Sequence, residues 1–401
     1  MMPGVLYISY DGMLEPLGQS QVLAYLKRLA ADRPIHLISF EKADDWANVG
    51  ERKRLARDIA ASGIVWHPLR YHKRPTAIAT AWDIVSGIRL GLWLVLRHRL
   101  RIVHARSYVS SVMALGIKRI TGIRYLFDMR GFWADERVDG NLWPRTGRMY
   151  RVSKWFERRF LLAADHVVSL THAAVIEMAR FSYLKTRMPP VTVIPTCTDL
   201  TRFAPTPRER DGGGFVLGYV GSAGTWYLFD MVASCFAQLL RMQPDARFLI
   251  VNRGQHAYIR SELAKAGVPD AAFELVAADH GAVFKKMANM DAGIFFYRPS
   301  FSRAACAPTR LGEFLGCGIP CLGNTGVGDM AKVLEGEGVG VAVKSFDAAS
   351  LNKGLQQLLL LAQDPATRAR CVASAARHFS LEVGVQRYAD IYRKLSIENK
   401  T

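Results

Sequence analysis

Several features that are common in other classes of protein are absent from this sequence. The six cysteines all lie beyond residue 190, and none belongs to a Cys-x-x-Cys pair or to a Cys/His set at zinc-ligand spacing. We therefore expect reduced thiols in a cytosolic protein. No uninterrupted apolar run reaches the ~18–20 residues that a membrane-spanning helix needs. The opening MMPGVLYISYDG has no basic region ahead of an apolar stretch, so we expect no secretory signal.

Acidic residues are also scarce relative to basic ones. The 401 residues include 35 Asp and Glu against 53 Lys and Arg, a formal net charge of +18. Residues 1–205 hold 31 basic and 17 acidic residues (+14), which leaves 22 and 18 (+4) for residues 206–401. A basic first half indicates a polyanionic partner such as nucleic acid, an anionic membrane surface or a phosphorylated substrate. General solubility is the simpler alternative.

Short β-rich runs alternate with helical patterns along the whole chain. This alternation predicts parallel sheets that are covered on both faces by helices. The pattern restarts after the Pro-, Gly- and charge-rich segment FAPTPRERDGGG at residues 203–214, which predicts a linker. We therefore predict two tandem doubly wound α/β domains, residues 1–203 and 204–380, and a helix within residues 381–401 that packs back on the first domain. Ligands in such folds bind at the carboxyl ends of the strands, so we expect a cleft between the facing domains.

The strongest local motif is APTRLGEFLGCGIP at residues 307–320. Pro308 suits the start of a helix, and Arg310 and Glu313 are three residues apart on one face of that helix. A helix N-terminus and an arginine together favour a phosphate, and Glu313 can accept hydrogen bonds from a ribose diol. The alternative is an ordinary Arg–Glu pair on the surface of an amphipathic helix.

The segment from Met287 to Gly323, MANMDAGIFFYRPSFSRAACAPTRLGEFLGCGIPCLG, resembles the donor-binding motif of the retaining glycosyltransferases of family 4, which have the GT-B fold. The opening VLYISYDGMLEPLGQSQVLAYLKRLA is similar to the first strand, glycine loop and helix of that family. Further segments match in the same order: IVHARS, ADHVVSLT, VIPTCTD and LGYVGSAGTWY. The resemblance therefore covers nearly the whole chain, and it implies two Rossmann-like domains.

The resemblance also implies a nucleotide-sugar donor that is held mostly by the second domain. Glu313 matches the position that binds the donor ribose, and Thr309 and Arg310 match positions at the diphosphate. The Gly221-Ser222 turn matches a loop near the diphosphate. Gly18, in the predicted loop after the first strand, would let the backbone approach the donor from the other domain.

Two features depart from the family pattern. The first glutamate of the family's E-x7-E pair is replaced by Ala305, so main-chain N–H groups at residues 302–307 are the expected contacts to the donor sugar. The loop GSAGTWY lacks the Arg and Lys that are common there. Arg253, Arg298 and Arg303 are the candidates to supply the missing positive charge.

The second notable segment, YLFDMRGFWADERVDG at residues 125–140, follows a predicted strand end and is expected to line the cleft. Many relatives have a histidine where Arg130 stands. An arginine cannot act as a base at neutral pH, but it can hold an acceptor phosphate or the leaving diphosphate. Asp128, Asp135 or Glu136 can then accept the proton of the acceptor hydroxyl. A network of salt bridges in a loop is the alternative.

By resemblance, the reaction is transfer of a sugar from a UDP- or GDP-linked donor to a hydroxyl, with retention. No Asp-x-Asp triplet occurs in the sequence, so we expect neither a metal nor another cofactor.

The basic first domain favours a saccharide acceptor on a polyprenyl diphosphate, in the synthesis of cell-surface polysaccharide. The expected location is cytoplasmic or peripheral at the inner face of the cell membrane. The segment WDIVSGIRLGLWLVLRHRLR at residues 82–101 suits a helix on an anionic bilayer, or a helix that covers the sheet.

Three other interpretations remain. A nucleotide-sugar epimerase or a sugar phosphorylase would use the same fold, since fold alone does not fix chemistry. Gly218, Gly221 and Gly224 weakly match a dinucleotide-binding loop of an oxidoreductase, with GxxGxxG in place of GxGxxG spacing. A nucleic-acid-binding protein would explain the charge, but the arginines are dispersed and no binding module is legible.

Overall fold

The computed structural model describes residues 3–207, 213–278 and 282–397. The chain divides into two compact units. The first unit comprises Met1–Ile194 and Leu381–Thr401, and the second comprises Pro195–Ser380. Residues 208–212 of the predicted linker lie outside the described part of the chain.

The boundary between the units differs from the predicted one, because it follows Ile194 and not residue 203. The amide of Thr198 donates to the carbonyl of Phe379 at 2.7 Å. Phe203 is buried in the hydrophobic core of the second unit. Residues 195–203 therefore pack as part of the second unit before the linker begins.

The first unit contains a seven-stranded parallel sheet in the order β3-β2-β1-β4-β5-β6-β7. Its strands are β1 Val5–Ser9, β2 Ile35–Glu41, β3 Ile64–Arg70, β4 Ile102–Arg106, β5 Arg124–Asp128, β6 His166–Ser169 and β7 Val191–Val193. Every residue of β1, β2 and β4 is buried, as expected for strands that are covered on both faces. The direction in which strands are added reverses between β1 and β4.

The second unit contains a six-stranded parallel sheet in the order β10-β9-β8-β11-β12-β13. Its strands are β8 Val216–Val220, β9 Arg247–Val251, β10 Phe273–Val276, β11 Ala292–Ile294, β12 Cys321–Asn324 and β13 Gly340–Val343. The reversal in this sheet lies between β8 and β11. Both sheets thus have the switch point at which doubly wound folds bind ligands.

Helices connect the strands of both sheets. The first unit has α1 Pro16–Gly18, α2 Ala24–Leu29, α3 Ala43–Ala47, α4 Val49–Ala61, α5 Thr76–His98, α6 Ser107–Thr121, α7 Trp133–Asp139, α8 Arg148–Ala163 and α9 His172–Ala179. The second unit has α10 Phe229–Met242, α11 His256–Lys265, α12 Val283–Met287, α13 Thr309–Gly316, α14 Met330–Gly336, α15 Ala348–Gln363 and α16 Pro365–Phe379. A last helix, α17 Leu381–Ile397, belongs to the first unit. The predicted α/β architecture is therefore confirmed for each unit.

Helix α5 is longer than the sequence pattern predicts. Its residues Ala77–His98 (22 residues, mean hydropathy 1.4) are long and apolar enough to cross a membrane by length and composition, with 33% of the window buried. The sequence has no uninterrupted apolar run of this length, and the helix passes this test because Arg89 and the other interruptions do not lower the mean hydropathy enough. One face of α5 packs in the first unit: a Cβ at Gly87 would meet Met113 of α6 at 2.4 Å, and one at Gly91 would meet Ile117 at 2.5 Å.

Candidate functional site

A cluster of polar and aromatic residues lies at the switch point of the second sheet. The loop after β8 begins at Gly221, whose φ of +100° is a backbone conformation that glycine adopts without strain. A Cβ at this position would meet Nη2 of Arg310, on α13, at 2.7 Å. Arg310 Nη2 donates to the carbonyl of Ser222 at 3.3 Å. The structure thus brings together three residues that the sequence assigned to the donor diphosphate.

The guanidinium of Arg310 lies against aromatic rings, and in the described part of the chain no carboxylate forms a salt bridge with it. Its guanidinium carbon lies 4.2 Å from the ring centre of Tyr227, 5.1 Å from Tyr219 and 5.8 Å from Phe295. Arg310 is 7% exposed, and within the described residues its Nη1 atom has no hydrogen-bond partner. A buried guanidinium with an unused donor is suited to an anionic oxygen, since charge-assisted hydrogen bonds are the stronger ones.

Glu313 lies one turn after Arg310 on α13 and is also 7% exposed. Burial raises the pKa of Glu313 to about 7, although the positive charges of Arg310 and Arg202 oppose this shift. The interpretation of Arg310 and Glu313 as a surface salt bridge is therefore wrong, because both side chains are buried. A buried carboxyl whose pKa lies near neutral is a candidate functional group.

The other side of the Gly221 loop is fixed by the end of β9. Asn252 Nδ2 donates to the carbonyl of Gly221 at 2.9 Å, and Gln255 Oε1 accepts from the amide of Ala223 at 2.8 Å. Arg253 lies between these two residues in the chain and is exposed. The sequence reasoning selected Arg253 and missed Asn252 and Gln255. Their position directly after β9, at the carboxyl edge of the sheet beside β8, was the signal that pointed to them.

A second buried arginine lies near the same loop. Arg303, which is 6% exposed, is in the short 3₁₀ segment Phe301–Ala305, and its guanidinium stacks 4.7 Å from the ring centre of Trp226. Trp226 follows the Gly221 loop in the chain, and its carbonyl accepts from the amide of Arg298 at 3.0 Å. Of the candidate cations, Arg303 therefore places its guanidinium against this loop, whereas Arg298 contacts it through its main-chain amide and has an exposed side chain.

The three glycines that supported the oxidoreductase interpretation, Gly218, Gly221 and Gly224, do not form a dinucleotide-binding loop. Gly218 lies inside β8, where a Cβ would meet Sδ of Met290 at 2.1 Å. Close packing in the sheet therefore explains this glycine, and only Gly221 and Gly224 belong to the loop.

A different cluster lies at the switch point of the first sheet, where β4 and β5 end. Asp128 is 1% exposed. Its Oδ2 accepts from the hydroxyl of Tyr388 at 3.0 Å and lies 3.8 Å from Nη1 of Arg106, and its Oδ1 lies 3.9 Å from Nη1 of Arg130. Nε2 of His104 is 3.7 Å from the same carboxylate. The contact between Asp128 and Arg130 fits the salt-bridge network that was the alternative for this segment, and the network extends to Arg106 and His104.

The charges around Asp128 determine its protonation. Burial alone would raise the pKa of Asp128, but Arg130, His104 and Arg106 outweigh it, so the pKa lies below its ordinary value. Burial lowers the pKa of His104, against the effect of Asp128, and His104 Nδ1 pairs with the hydroxyl of Tyr392 at 2.6 Å. An ionised carboxylate of low pKa is a weak base, and a catalytic part for Asp128 stays a prediction.

Asp135 and Glu136 lie in the first turn of α7, so this part of the segment is helical and not a loop. Asp135 is buried and accepts from the hydroxyl of Tyr150 at 2.8 Å and from Nζ of Lys154 at 2.8 Å. Lys154 also contacts the buried Glu157 at 2.5 Å. These contacts tie Asp135 to α8, whereas Asp128 is tied to α17. Glu136 is partly exposed on the same helix.

The sequence suggested that Gly18 lies in a loop, but the structure does not place it in one. It is helical, with φ of −60°, and a π-helical turn, Gln19–Leu23, follows it. A Cβ at Gly18 would lie 2.1 Å from the carbonyl oxygen of Gly12. The physical reason for this glycine is therefore the close approach of two backbone segments.

Comparison with known proteins supports the fold. No protein-family model and no curated protein matches the chain. A glycosyltransferase from Rickettsia africae has a similar structure, with a TM-score of 0.72, 11% identity and 98% of each chain covered. Anabaena HepE, solved in complex with UDP and glucose, has a TM-score of 0.66 and 13% identity, with 98% of this chain and 99% of that chain covered. A putative UDP-N-acetylglucosamine 2-epimerase from Listeria monocytogenes has a TM-score of 0.57 and 12% identity, over 97% and 95% of the two chains. The chain therefore has the tandem Rossmann-like GT-B fold that the sequence predicted.

Proposed function

We propose that this protein is a retaining glycosyltransferase that moves a sugar from a nucleoside-diphosphate donor to a hydroxyl group of a saccharide acceptor. The observation that supports this most directly is the buried Arg310, whose Nη1 lacks a hydrogen-bond partner among the described residues and which lies against the Gly221 loop. Glu313, with a pKa of about 7, lies one turn away. Several solved structures of similar fold are glycosyltransferases.

Each part of the donor has a matching group in the second unit. Arg310 and the main chain at Gly221 and Ser222 suit the diphosphate, with Thr309 at the start of α13 and the exposed Arg253 as further donors. Glu313 suits the two hydroxyls of the ribose, because a carboxylate can accept both hydrogen bonds. HepE has been solved with UDP and with UDP-glucose, and a UDP- or GDP-linked donor is therefore our first candidate.

The chemistry that we propose needs stabilisation of charge more than a nucleophile. The bond between the anomeric carbon and the diphosphate oxygen breaks, and the acceptor oxygen bonds to the same face of that carbon. The acceptor proton passes to the departing diphosphate. Arg310 stabilises the negative charge that develops on the leaving group, and main-chain N–H groups at residues 302–307 contact the donor sugar. We expect no metal or other cofactor, so chelation with EDTA should leave turnover unchanged.

For the acceptor we propose a saccharide on a polyprenyl diphosphate, in the synthesis of cell-surface polysaccharide at the cytoplasmic side of the membrane. Arg106 and Arg130 are fixed cations at the carboxyl ends of β4 and β5. They share Asp128, and Nε of Arg106 also lies 3.5 Å from the carboxylate of Asp11. Their guanidinium groups are the candidate ligands for an acceptor phosphate. We assign Asp128 to the positioning of these arginines. Glu136, which is partly exposed on α7, is the candidate carboxylate to relay the acceptor proton to the diphosphate.

Thermal unfolding in the presence of nucleotides tests the proposal. A ligand that binds the native state at a hundred times its Kd adds about 2.7 kcal/mol to the free energy of unfolding. We expect UDP or GDP to raise the melting temperature, and NAD, NADP and a single-stranded oligonucleotide to leave it unchanged. Stabilisation by NAD alone would favour the oxidoreductase, and salt-sensitive stabilisation by the oligonucleotide would favour a nucleic-acid-binding protein.

An epimerase is the second candidate, because the putative UDP-N-acetylglucosamine 2-epimerase shares the fold. The two enzymes differ in what they do to a nucleotide sugar when no acceptor is present. An epimerase converts the sugar to its epimer at the usual catalytic rate, whereas a transferase leaves it intact or hydrolyses it slowly. Chromatography of UDP-N-acetylglucosamine and UDP-glucose after incubation with the protein separates these outcomes. A phosphorylase would instead consume a saccharide with inorganic phosphate.

A further inference from the structure

The outer face of α5 carries a continuous stripe of exposed apolar side chains. Positions 78, 82, 85, 89, 93 and 96 recur at the period of a helix and are all exposed. Five of them are apolar: Ile78 (69% exposed), Trp82 (61%), Val85 (50%), Trp93 (55%) and Leu96 (70%). Exposed tryptophan is unusual in a water-facing helix, and a contiguous stripe of this kind marks a surface that contacts something apolar.

Helix α8 carries a second stripe of the same kind. Met149, Val152 and Trp155 are 53%, 50% and 49% exposed, and Leu162 is 39% exposed. Arg159 lies between Trp155 and Leu162 and stacks on the Trp155 ring at 4.9 Å. The two helices therefore present the same combination of tryptophan, aliphatic side chains and arginine.

Both helices lie in one layer, on either side of α6. Gly91 of α5 packs on Ile117 of α6. Tyr108 of α6 donates to Glu157 of α8 at 2.5 Å and packs against Phe160 with ring centres 6.0 Å apart. The outer faces of α5 and α8 therefore form one side of the first unit, which we call the α5–α8 face.

The charge on the α5–α8 face has one sign. The only acidic residue of α5 is Asp83 and the only one of α8 is Glu157, and both are buried, with 1% and 0% exposure. Asp83 is bonded to Tyr10 and His72, and Glu157 to Tyr108 and Lys154. The exposed charged residues of the two helices are basic: Arg89, Arg97, Arg148, Arg151, Arg158 and Arg159.

We propose that the α5–α8 face docks on an anionic phospholipid bilayer, with both helices parallel to the membrane surface. The apolar side chains would enter the acyl boundary, and the arginines would remain at the level of the lipid phosphates. Helix α5 would not cross the bilayer, because Gly87 and Gly91 pack it into the first unit. A protein partner would have to match both an apolar stripe and a surface without acids. This proposal is independent of the sugar chemistry proposed above.

Co-sedimentation of the full chain with vesicles tests the proposal. The vesicles are a mixture of phosphatidylglycerol and phosphatidylcholine, with pure phosphatidylcholine as the comparison. We expect binding to the anionic vesicles at low salt that weakens as salt is added. Trp82→Glu and Trp155→Glu should each lower the bound fraction at least about tenfold, because each places a carboxylate at the lipid boundary. Leu360→Glu is the matched control: Leu360 is 68% exposed on α15 of the second unit, and its replacement should leave binding unchanged.

Circular dichroism and thermal unfolding show whether each variant is folded, and quenching of tryptophan fluorescence by brominated lipid gives a second measure of insertion in the unaltered protein. Absence of sedimentation with anionic vesicles at low salt would overturn the proposal. So would equal binding by the unaltered protein and by the Trp82→Glu/Trp155→Glu double variant. A dimer that becomes monomeric on Trp82→Glu would assign the face to a second copy of the chain instead.

Discussion

The candidate residues of the two units differ in how their buried charges are compensated. In the first unit Asp128 lies beside Arg106 and Arg130, and Asp135 lies beside Lys154. In the second unit Arg310 lies against aromatic rings, and burial raises the pKa of Glu313 to about 7.

A buried charge beside an opposite charge stabilises the local structure. A buried charge without such a partner costs free energy, and a bound ligand can reduce that cost. The difference therefore separates the residues that hold the first unit together from those that are available to a donor in the second. Substitutions in the two clusters should then change different measurable quantities.

The largest effect that we expect is on the stability of the first unit. Asp128→Ala leaves Arg106, Arg130 and the hydroxyl of Tyr388 without their shared acceptor. Removal of one partner from a buried ion pair costs about 3–5 kcal/mol. Denaturant unfolding should show a loss of that size. Glu382→Ala is the control, because its contact with Arg28 is exposed and should contribute less than about 1 kcal/mol. Equal stability of the two variants would remove the distinction between the units.

Arg310→Met should affect ligand binding and not stability. Methionine keeps contact with the aromatic rings, so the folded state is retained. A hydrogen bond to a charged group contributes about 1.5–3 kcal/mol, so UDP affinity should fall by about 10- to 100-fold. Isothermal titration measures this, with Arg370→Met as the control, since in the described structure Arg370 bonds only to Asp364, Thr367 and Gly338. A loss of stability without a loss of affinity would make Arg310 a structural residue.

Gly18 in the first unit and Gly221 in the second unit should show the same contrast between loss of stability and loss of ligand binding. Gly18→Ala would place a Cβ against the Gly12 carbonyl, and overpacking of this kind costs about 1–3 kcal/mol of stability. Gly221→Ala would displace Arg310 and force an alanine into positive φ, so nucleotide affinity should fall. Melting temperature and UDP titration on both variants check this. Reduced UDP affinity in a fully stable Gly18→Ala variant would restore the donor-site role that the sequence suggested.

The smallest effect concerns pH. Glu313 has a pKa raised from 4.5 to about 7, so it is protonated below about pH 7 in the folded chain. Its contribution to stability should fall as pH rises from 4.5 to 7 and stay constant above that, because over this range only the folded state holds the proton. An ionised carboxylate accepts the ribose hydroxyls more strongly, so nucleotide affinity should rise through pH 7. Glu313→Gln should lack this increase and bind about fivefold more weakly at pH 8. A constant ratio of the two affinities between pH 6 and 8 would contradict the assignment.

Much of the fold could be predicted from the sequence. The alternation of β-rich runs with helical segments predicted the parallel sheets of both units, because buried parallel strands such as β1 and β13 are covered on both faces. The pairing of Arg310 with the Gly221 loop could also be anticipated, because strand ends at a switch point converge.

The details that were missed depend on side-chain direction and on contacts between distant segments. Sequence periodicity does not show that Tyr219 and Tyr227 face Arg310, or that Asn252 reaches the Gly221 carbonyl. It also does not show that Gly18 lies against Gly12. The pKa of Glu313 depends on how deeply α13 is buried, and that follows from packing with Phe203 and Phe379, which lie far from it in the chain.

The position of α17 has a consequence for synthesis of the chain. Tyr388 and Tyr392 on this helix complete the buried cluster around Asp128 and His104. Residues 381–397 leave the ribosome only after the whole of the second unit, residues 195–380, has been made. The second unit can therefore fold during translation, whereas the first unit is complete only when α17, which follows the second unit in the chain, has been synthesised. Until then the Asp128 cluster lacks its two tyrosines, and a nascent chain paused before residue 381 would expose that gap to chaperones.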